Sequence, residues 1–202
     1  MSIKAAVYLG SNPGNDPKYV NNARELGRQL AAGGIEVIYG GAKVGTMGAM
    51  SEGVMEAGGK ITGVFPKGFR GRKTYALNGT DVRQTGEGYS GYTYLETPTF
   101  DERIRAMERM SDLCIILPGS YGTMHELFSF FEGNEMGSFS KPVAVLNLGG
   151  YYDPLLQLIR NMTAAAFTGR EDLDLFIVAD TPAELVGKIQ NYFSNFGKSS
   201  ER

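Results

Sequence analysis

The residues best placed to do chemistry form a short loop of small side chains followed by a glutamate. An apolar run that begins at Leu113 breaks at Pro118, and an amphipathic stretch restarts near Thr123, with Glu126 in its first turn. The unpaired N–H groups at the start of a helix, helped by the helix dipole, bind an anion such as a phosphate without a lysine. A carboxylate does not help simple anion binding, since both groups are negative. The pattern therefore predicts chemistry beside a phosphorylated substrate, with Glu126 kept charged by the helix.

Two other segments, 10–14 and 40–48, are also rich in glycine and follow predicted strands. Because parallel strands end at one edge of their sheet, these loops and the 118–123 loop are expected to converge on one crevice. A single loop of this kind is often only a tight turn, but three together favour a ligand site. The spacing matches neither the GxGxxG fingerprint nor a Walker loop. Four hydroxyls could add donors to a phosphate, those of Ser11, Thr46, Ser120 and Thr123.

Composition excludes several classes of function. The 202 residues suffice for one domain, expected over 1–196, with a disordered tail over 197–202. A total of 20 Lys and Arg against 22 Asp and Glu gives a net charge of −2, which argues against nucleic acid as a main partner. With one cysteine, Cys114, and one histidine, His125, no intrachain disulfide or metal site is expected. The N-terminus turns polar after a few apolar residues, so we expect a cytoplasmic protein without a signal peptide or membrane span.

The apolar runs predict an α/β fold of three layers. Short apolar runs alternate with amphipathic stretches, as in parallel βαβ units whose helices cover a sheet. We predict a mostly parallel sheet of about seven strands with helices on both faces. The strands are predicted at residues 4–9, 36–39, 60–65, 92–96, 113–117, 142–147 and 176–179, and the helices at 17–32, 46–57, 100–110, 123–134, 151–165 and 182–193. The stretch 67–91 breaks this rhythm and is predicted to be a surface excursion.

The 118–126 segment also carries a resemblance to a known family. Its sequence, PGSYGTMHE, closely resembles the PGGxGTxxE signature of the LOG ("Lonely guy") family. These proteins are cytokinin riboside 5′-monophosphate phosphoribohydrolases that are often mislabelled lysine decarboxylases. Further landmarks follow in the family's order: VYLGSNPG, the segment 35–66, the helix segment that starts at Arg103, and KPVAVLNLGGYYDPLL. The resemblance covers nearly the whole chain apart from 67–91 and the tail.

The resemblance implies a Rossmann-like fold, usually dimeric, that hydrolyses the N-glycosidic bond of a nucleoside 5′-monophosphate without a cofactor. The products are the free base and ribose 5-phosphate. A purine substrate, AMP or an N6-substituted AMP, follows from the resemblance alone. It also implies that Glu126 is the catalytic carboxylate and Arg103 a substrate clamp. The residues expected to hold the 5′-phosphate are Gly119, Ser120, Tyr121, Gly122 and Thr123, assisted by Gly41, Gly45, Thr46 and Ser11.

These roles agree with the chemistry of the residues. Glycosidic cleavage passes through an oxocarbenium-like state, which a nearby carboxylate can stabilise while it activates water. An arginine can clamp phosphate or ribose oxygens through its fork of donors. Two residues depart from the family pattern, because Ser120 stands where glycine is usual and Ile104 where lysine is usual. These departures leave the preferred base open.

Three alternatives to this function remain open. The chain could be a non-catalytic nucleotide or cofactor carrier or sensor, since one fold serves many functions. Ile104 and Ser120 could mark a different phosphoribosyl substrate. Amino-acid decarboxylation with pyridoxal phosphate requires a lysine, and none lies near the 118–123 loop in the sequence.

Several other residues are assigned structural roles. Cys114 is expected to be a buried small hydrophobe and His125 to face solvent or support the site indirectly. The fourth predicted helix and the segment that follows it carry more apolar side chains than a single core-facing stripe of a helix requires. This excess favours a homodimer interface, and packing in the core accounts for part of it. The side chains are those of Phe128, Phe130, Phe131 and Met136.

Overall fold

Seven parallel strands form a single sheet in this computed structural model, which describes residues 2–67 and 89–199. The strands are β1 (Lys4–Tyr8), β2 (Glu36–Tyr39), β3 (Ile61–Pro66), β4 (Tyr92–Thr97), β5 (Leu113–Ile116), β6 (Val143–Leu146) and β7 (Phe176–Ala179). They lie in the order β4-β3-β2-β1-β5-β6-β7, every neighbouring pair parallel. The order reverses between β1 and β5, so the loops after these two strands diverge and leave a crevice at the carboxyl edge.

Helices cover both faces of this sheet. They are α1 (Pro17–Ala32), α2 (Gly45–Glu56), α3 (Phe100–Met110), α4 (Tyr121–Glu135), α5 (Asp153–Ala164), α6 (Glu171–Asp174) and α7 (Pro182–Ser199), with a short 3₁₀ helix at Leu148–Gly150. On one face α1, α2 and α7 pack around Leu26 and Met50. On the other, α3, α4 and α5 pack around Met107 and Leu127. The predicted three-layer α/β fold is confirmed.

Strand β5 shows why the apolar runs indicate buried strands. Leu113 and Ile115 enter the core beneath α1, α2 and α7, whereas Cys114 and Ile116 enter the core beneath α3 and α4. Because helices cover both faces, neither set of side chains can be polar. Cys114 is fully buried in this core, as predicted. Burial raises the pKa of its thiol, so the thiol stays protonated.

The predicted helices differ from the observed ones mainly at their ends. Helix α4 begins at Tyr121, two residues before its predicted start. The residues before α5 form a tight turn in which Gly149 and Gly150 have φ angles of 61° and 76°, so α5 begins at Asp153. The short helix α6 was not predicted. Helix α7 extends to Ser199, into the predicted tail, while residues 200–202 and 68–88 lie outside the described residues.

The start of α3 is fixed by a local signal in the sequence. The Thr99 hydroxyl accepts a hydrogen bond from the N–H of Glu102 at 3.1 Å, and the Thr99 carbonyl accepts one from the N–H of Arg103, also at 3.1 Å. This N-cap places Arg103 in the first turn of α3, on the same side of the sheet as α4.

Among the helices of the part of the chain that the structure describes, none combines the length and the hydropathy of a membrane span.

Candidate active site

The crevice at the carboxyl edge of the sheet consists of two adjoining cavities. The larger, here the main cavity, has a volume of about 320 Å³ and is lined by Arg103 and Glu126 together with residues that follow β1, β2 and β5. The smaller, the side cavity, has a volume of about 210 Å³ and is lined by Gly119 and Tyr151 among others. Ser120 lines both, so the β5–α4 loop separates them.

An ion pair between helices α3 and α4 lies in the main cavity. Arg103 Nη2 donates to Glu126 Oε1 at 2.8 Å, and about a tenth of each side chain is exposed, 11% and 9%. Arg103 Nε also donates to the Val64 carbonyl at 3.1 Å, which anchors the guanidinium to β3. A side chain at Gly40 would overlap the guanidinium, so the β2–α2 loop needs a glycine here.

The environment of Glu126 differs from the one predicted. Because α4 begins at Tyr121, Glu126 is the sixth residue of the helix and not part of its first turn. Burial raises the pKa of its carboxyl above the usual value, and the charge and hydrogen bond of Arg103 oppose that shift. Its charge therefore depends on Arg103 and not on the helix dipole. No described residue donates to Glu126 Oε2, so this oxygen is available to water or a ligand.

The N-terminus of α4 has the properties of an anion site. Ser120 is the N-cap, but its hydroxyl makes no capping bond, and the first amide bonded in the helical pattern is Met124 N–H to the Ser120 carbonyl at 3.0 Å. Within residues 2–67 and 89–199, no protein acceptor receives the N–H of Ser120, Tyr121, Gly122 or Thr123. These amides are thus open to a ligand, and the helix dipole favours an anion there.

The structure divides the other predicted phosphate-binding residues between the cavities. Gly119 and Thr46 line only the side cavity, and the Thr46 hydroxyl donates to the Gly10 carbonyl at 2.9 Å, which ties α2 to the β1–α1 loop. Ser11, Ser120, Gly122 and Thr123 line the main cavity with the ion pair. Three line neither: Gly41 and Gly45, which hold tight turns at positive φ, and Tyr121, whose side chain is 93% exposed.

The sequence did not predict the apolar wall of the main cavity. Phe65, Phe100 and Met47 line it from β3, α3 and α2, in the same cavity as Ser120 and Thr123. Apolar residues of this kind have no signal in a single sequence that separates them from core residues. The His125 side chain is exposed, as expected, at the edge of the same cavity.

Two kinds of site are not formed by the described residues. None of the side chains that line either cavity is a lysine, the residue that a Schiff base with pyridoxal phosphate would require. In that same part of the chain, no group of three or more His, Cys, Asp and Glu side chains could hold a metal ion.

Removing the positive partner of the ion pair tests this electrostatic account. Arg103→Met should lower the free energy of unfolding by about 3 kcal/mol at neutral pH, because it leaves a buried carboxylate unpaired. The pKa of Glu126 then rises further, so the folded state holds a proton that the unfolded chain has released. The loss of stability should therefore grow as pH rises from about 5 to about 8, which urea unfolding measures.

The control for this test is the same substitution in a Glu126→Gln background. A neutral residue 126 cannot titrate, so Arg103→Met should there cost the same at both pH values. A pH-independent loss in the Arg103→Met single variant would contradict the account.

Comparison with known proteins places the chain in a family. A family model described as "Possible lysine decarboxylase" matches residues 47–189. A rice protein (Oryza sativa subsp. japonica), named probable cytokinin riboside 5′-monophosphate phosphoribohydrolase LOGL1, is 36% identical over 189 residues, which are 94% of this chain and 79% of that protein. A second rice protein, cytokinin riboside 5′-monophosphate phosphoribohydrolase LOG, is 34% identical over 193 residues, 96% and 75% of the two chains.

A solved structure shares the fold. The molybdenum cofactor carrier protein of Chlamydomonas reinhardtii superposes with a TM-score of 0.68 over 96% of this chain and 99% of that chain, at 18% identity. At this identity the likeness extends to the fold alone. Sequence identity above 30% over most of both chains, together with the match to the family model, shows that this chain and the two rice proteins are homologous. The chain therefore belongs to the LOG family of phosphoribohydrolases.

Proposed function

We propose that this chain hydrolyses the N-glycosidic bond of a nucleoside 5′-monophosphate and releases the free base and ribose 5-phosphate. One observation carries the proposal: a buried carboxylate, Glu126, lies in the same cavity as a helix N-terminus whose first amides donate to no acceptor among the described residues. The names of the rice relatives support this activity. An anion site beside a buried carboxylate suits a substrate that is negative at one end and gains positive charge at the other during reaction.

The amides of α4 bind the 5′-phosphate in this proposal. The N–H groups of residues 120–123 donate to phosphate oxygens, and the hydroxyls of Ser120 and Ser11, which both line the cavity, add polar contacts. Gly122 has open space where a side chain would be, so a phosphate can approach the backbone closely. Phosphate binding in this place orients the ribose along the main cavity, toward Glu126.

Glu126 then acts on the anomeric carbon. As the C–N bond breaks, its electron pair passes to the base, and positive charge spreads over the anomeric carbon and the ring oxygen. Glu126 Oε2, to which none of the described residues donates, stabilises that charge and accepts a proton from the attacking water, whose oxygen bonds to the anomeric carbon; the carboxyl later returns this proton to solvent. The base gains a proton from solvent. Arg103 keeps Glu126 ionised despite its burial and fixes the orientation of the carboxylate.

The apolar wall of the main cavity is the proposed site for the base. Phe65 and Phe100 offer aromatic surface, and Ile104, which is buried, replaces a charged residue usual in the family with an apolar one. Flat aromatic ligands bind such walls by stacking and by removal of apolar surface from water. We propose a purine base, adenine or an N6-substituted adenine, on the strength of this wall and of the relatives' names.

The thiol chemistry of the chain is compatible with a reducing compartment. Its one cysteine, Cys114, is buried and unbonded, which fits a reducing environment. We therefore propose that the protein acts in the cytoplasm.

The catalytic carboxylate provides the direct test of the activity. Glu126→Gln keeps the shape of the side chain and removes its charge, so it should lower kcat for AMP or an N6-prenylated AMP by at least about 100-fold. Release of ribose 5-phosphate measures the rate, and calorimetry with AMP should show that binding persists. The matched control is Glu102→Gln, an exposed glutamate of α3 outside both cavities, which should leave kcat unchanged.

The outcome also separates the enzyme from the carrier that the fold could equally serve. Nucleotide binding with no base release, the same in Glu126→Gln as in the unmodified chain, would favour a carrier. Release of a base at full rate by Glu126→Gln would contradict the role given to the carboxylate.

We also propose that the chain forms a homodimer through α4 and α5. Phe130 of the predicted interface is fully buried against Tyr8 and Phe139, so it belongs to the core. Phe128 of α4 is 41% exposed and lines a groove of about 660 Å³ that continues onto α5, and Met136, which follows the last residue of α4, is 75% exposed. Phe131 also lines this groove. The groove combines apolar side chains with charged ones, among them Arg105 and Glu132, and exposed apolar surface of this kind often marks a site covered by another protein chain.

A charge in the groove should separate the subunits. Phe128→Glu should convert a dimer to a monomer in sedimentation equilibrium, because a carboxylate buried in an apolar interface has no partner. The control, Asn191→Glu, adds the same charge to an exposed position of α7 on the opposite side of the sheet and should leave the dimer intact. A monomeric unmodified chain would contradict this proposal.

A further inference from the structure

Two tyrosines donate hydrogen bonds to backbone carbonyls of the loop that binds phosphate in the proposed function. Tyr152 donates its hydroxyl hydrogen to the Leu117 carbonyl at 2.5 Å, and Tyr151 donates to the Gly119 carbonyl at 2.6 Å. Both distances are at or below the usual length of an O–H···O hydrogen bond. Two successive residues after β6 therefore fix two carbonyls of the β5–α4 loop.

The segment that carries these tyrosines is itself firmly held. Asn147, at the end of β6, accepts the N–H of Tyr152 at 2.7 Å through Oδ1 and donates to Asp153 Oδ1 at 2.8 Å through Nδ2. The rings of Tyr151 and Tyr152 are perpendicular, with centroids 4.9 Å apart, and Tyr19 of α1 packs edge-on against Tyr151 at 6.1 Å. These contacts leave the Tyr151 ring few alternative positions.

The hydrogen bond from Tyr151 determines where the next amide points. A peptide unit is planar and trans, so its C=O and N–H point in opposite directions. The Gly119 carbonyl points to Tyr151 in the side cavity, and the N–H of Ser120 in the same peptide unit therefore points away from it. Ser120 also lines the main cavity, so an N–H that points away from the side cavity can reach a ligand there.

The loop needs such a restraint because of its composition. Gly119 has no Cβ, so rotation about its ψ angle meets little steric resistance, whereas a full flip of the peptide would also move φ of Ser120 from −112° to a positive value. Without the Tyr151 hydroxyl, a partial rotation of the peptide between Gly119 and Ser120 turns the Ser120 N–H from its present direction and brings the Gly119 carbonyl closer to the main cavity. A carbonyl oxygen there would repel a phosphate instead of donating to it.

We propose that Tyr151 is a positioning residue that aims the Ser120 N–H at the 5′-phosphate of the substrate. This role rests on the proposed function and adds to it a residue that does not itself line the main cavity. Tyr152 is almost fully buried, so its loss would affect the fold as a whole, whereas Tyr151 is 42% exposed and its hydroxyl can be removed separately.

The test is Tyr151→Phe, which removes only the hydroxyl. Phosphate is bound equally before and during the reaction, so KM should rise by about 10-fold while kcat stays within about twofold. In calorimetry, ribose 5-phosphate should bind about 10-fold more weakly, while adenine binding is unchanged. Amide NMR supplies a structural readout, because the shift of the Ser120 resonance on addition of ribose 5-phosphate should shrink in the variant.

The control is Tyr19→Phe, which removes the hydroxyl of another tyrosine that lines the side cavity. Among the described residues, this hydroxyl donates to no carbonyl of the β5–α4 loop. It should leave both KM and ribose 5-phosphate binding unchanged. Equal weakening of adenine and ribose 5-phosphate in Tyr151→Phe, or no change in either, would overturn the positioning role. A chain that binds ribose 5-phosphate in this selective way but releases no base would instead overturn the proposed reaction.

Discussion

The ion pair between Arg103 and Glu126 is the constraint on which the site depends. Removing a carboxylate from water costs several kcal/mol, and an attractive partner with good geometry must offset that cost. Here the partner comes from another helix, is tied to the Val64 carbonyl of β3, and fits against a position that must be glycine. Strand β3, helix α3 and helix α4 must therefore meet correctly before Glu126 can be both buried and charged.

The topology of the sheet supplies the second part of the site. Parallel strands place every strand-to-helix loop at one edge, and the reversal of order between β1 and β5 opens that edge beside the N-terminus of α4. The first amides of α4, which donate to no acceptor in the part of the chain that the structure describes, attract an anion, while Glu126 in the same cavity favours a cation. In the proposed function, a ribosyl phosphate whose anomeric carbon becomes positive satisfies both requirements.

The sequence predicted the fold well because most of its elements are locally encoded. The residues of β5 are all apolar because helices cover both faces, and the start of α3 is marked by the Thr99 cap. The loop, Glu126 and Arg103 were identified by spacing and by resemblance to a family. The helices and the loop that carry these residues meet at the carboxyl edge of the sheet, as its parallel topology requires.

What the sequence did not predict depends on contacts between distant residues. The start of α4 was placed too late, because Ser120 makes no capping bond and Tyr121-Gly122 are poor helix formers. Burial raises the pKa of Glu126 and Arg103 of α3 opposes that shift, and neither effect is recorded in a local sequence pattern. Phe130 was predicted to be part of an interface cluster but lies in the core. The hydrogen bond from the Tyr151 hydroxyl to the Gly119 carbonyl joins residues 32 positions apart, so no local pattern predicts it.

A crystal structure of the Glu126→Gln variant with bound AMP tests the central claim most directly. The account predicts phosphate oxygens within about 3.2 Å of the amide nitrogens of residues 120–123, and the anomeric carbon beside the side chain of residue 126. A phosphate bound elsewhere, with those amides in contact only with solvent or protein, would contradict it.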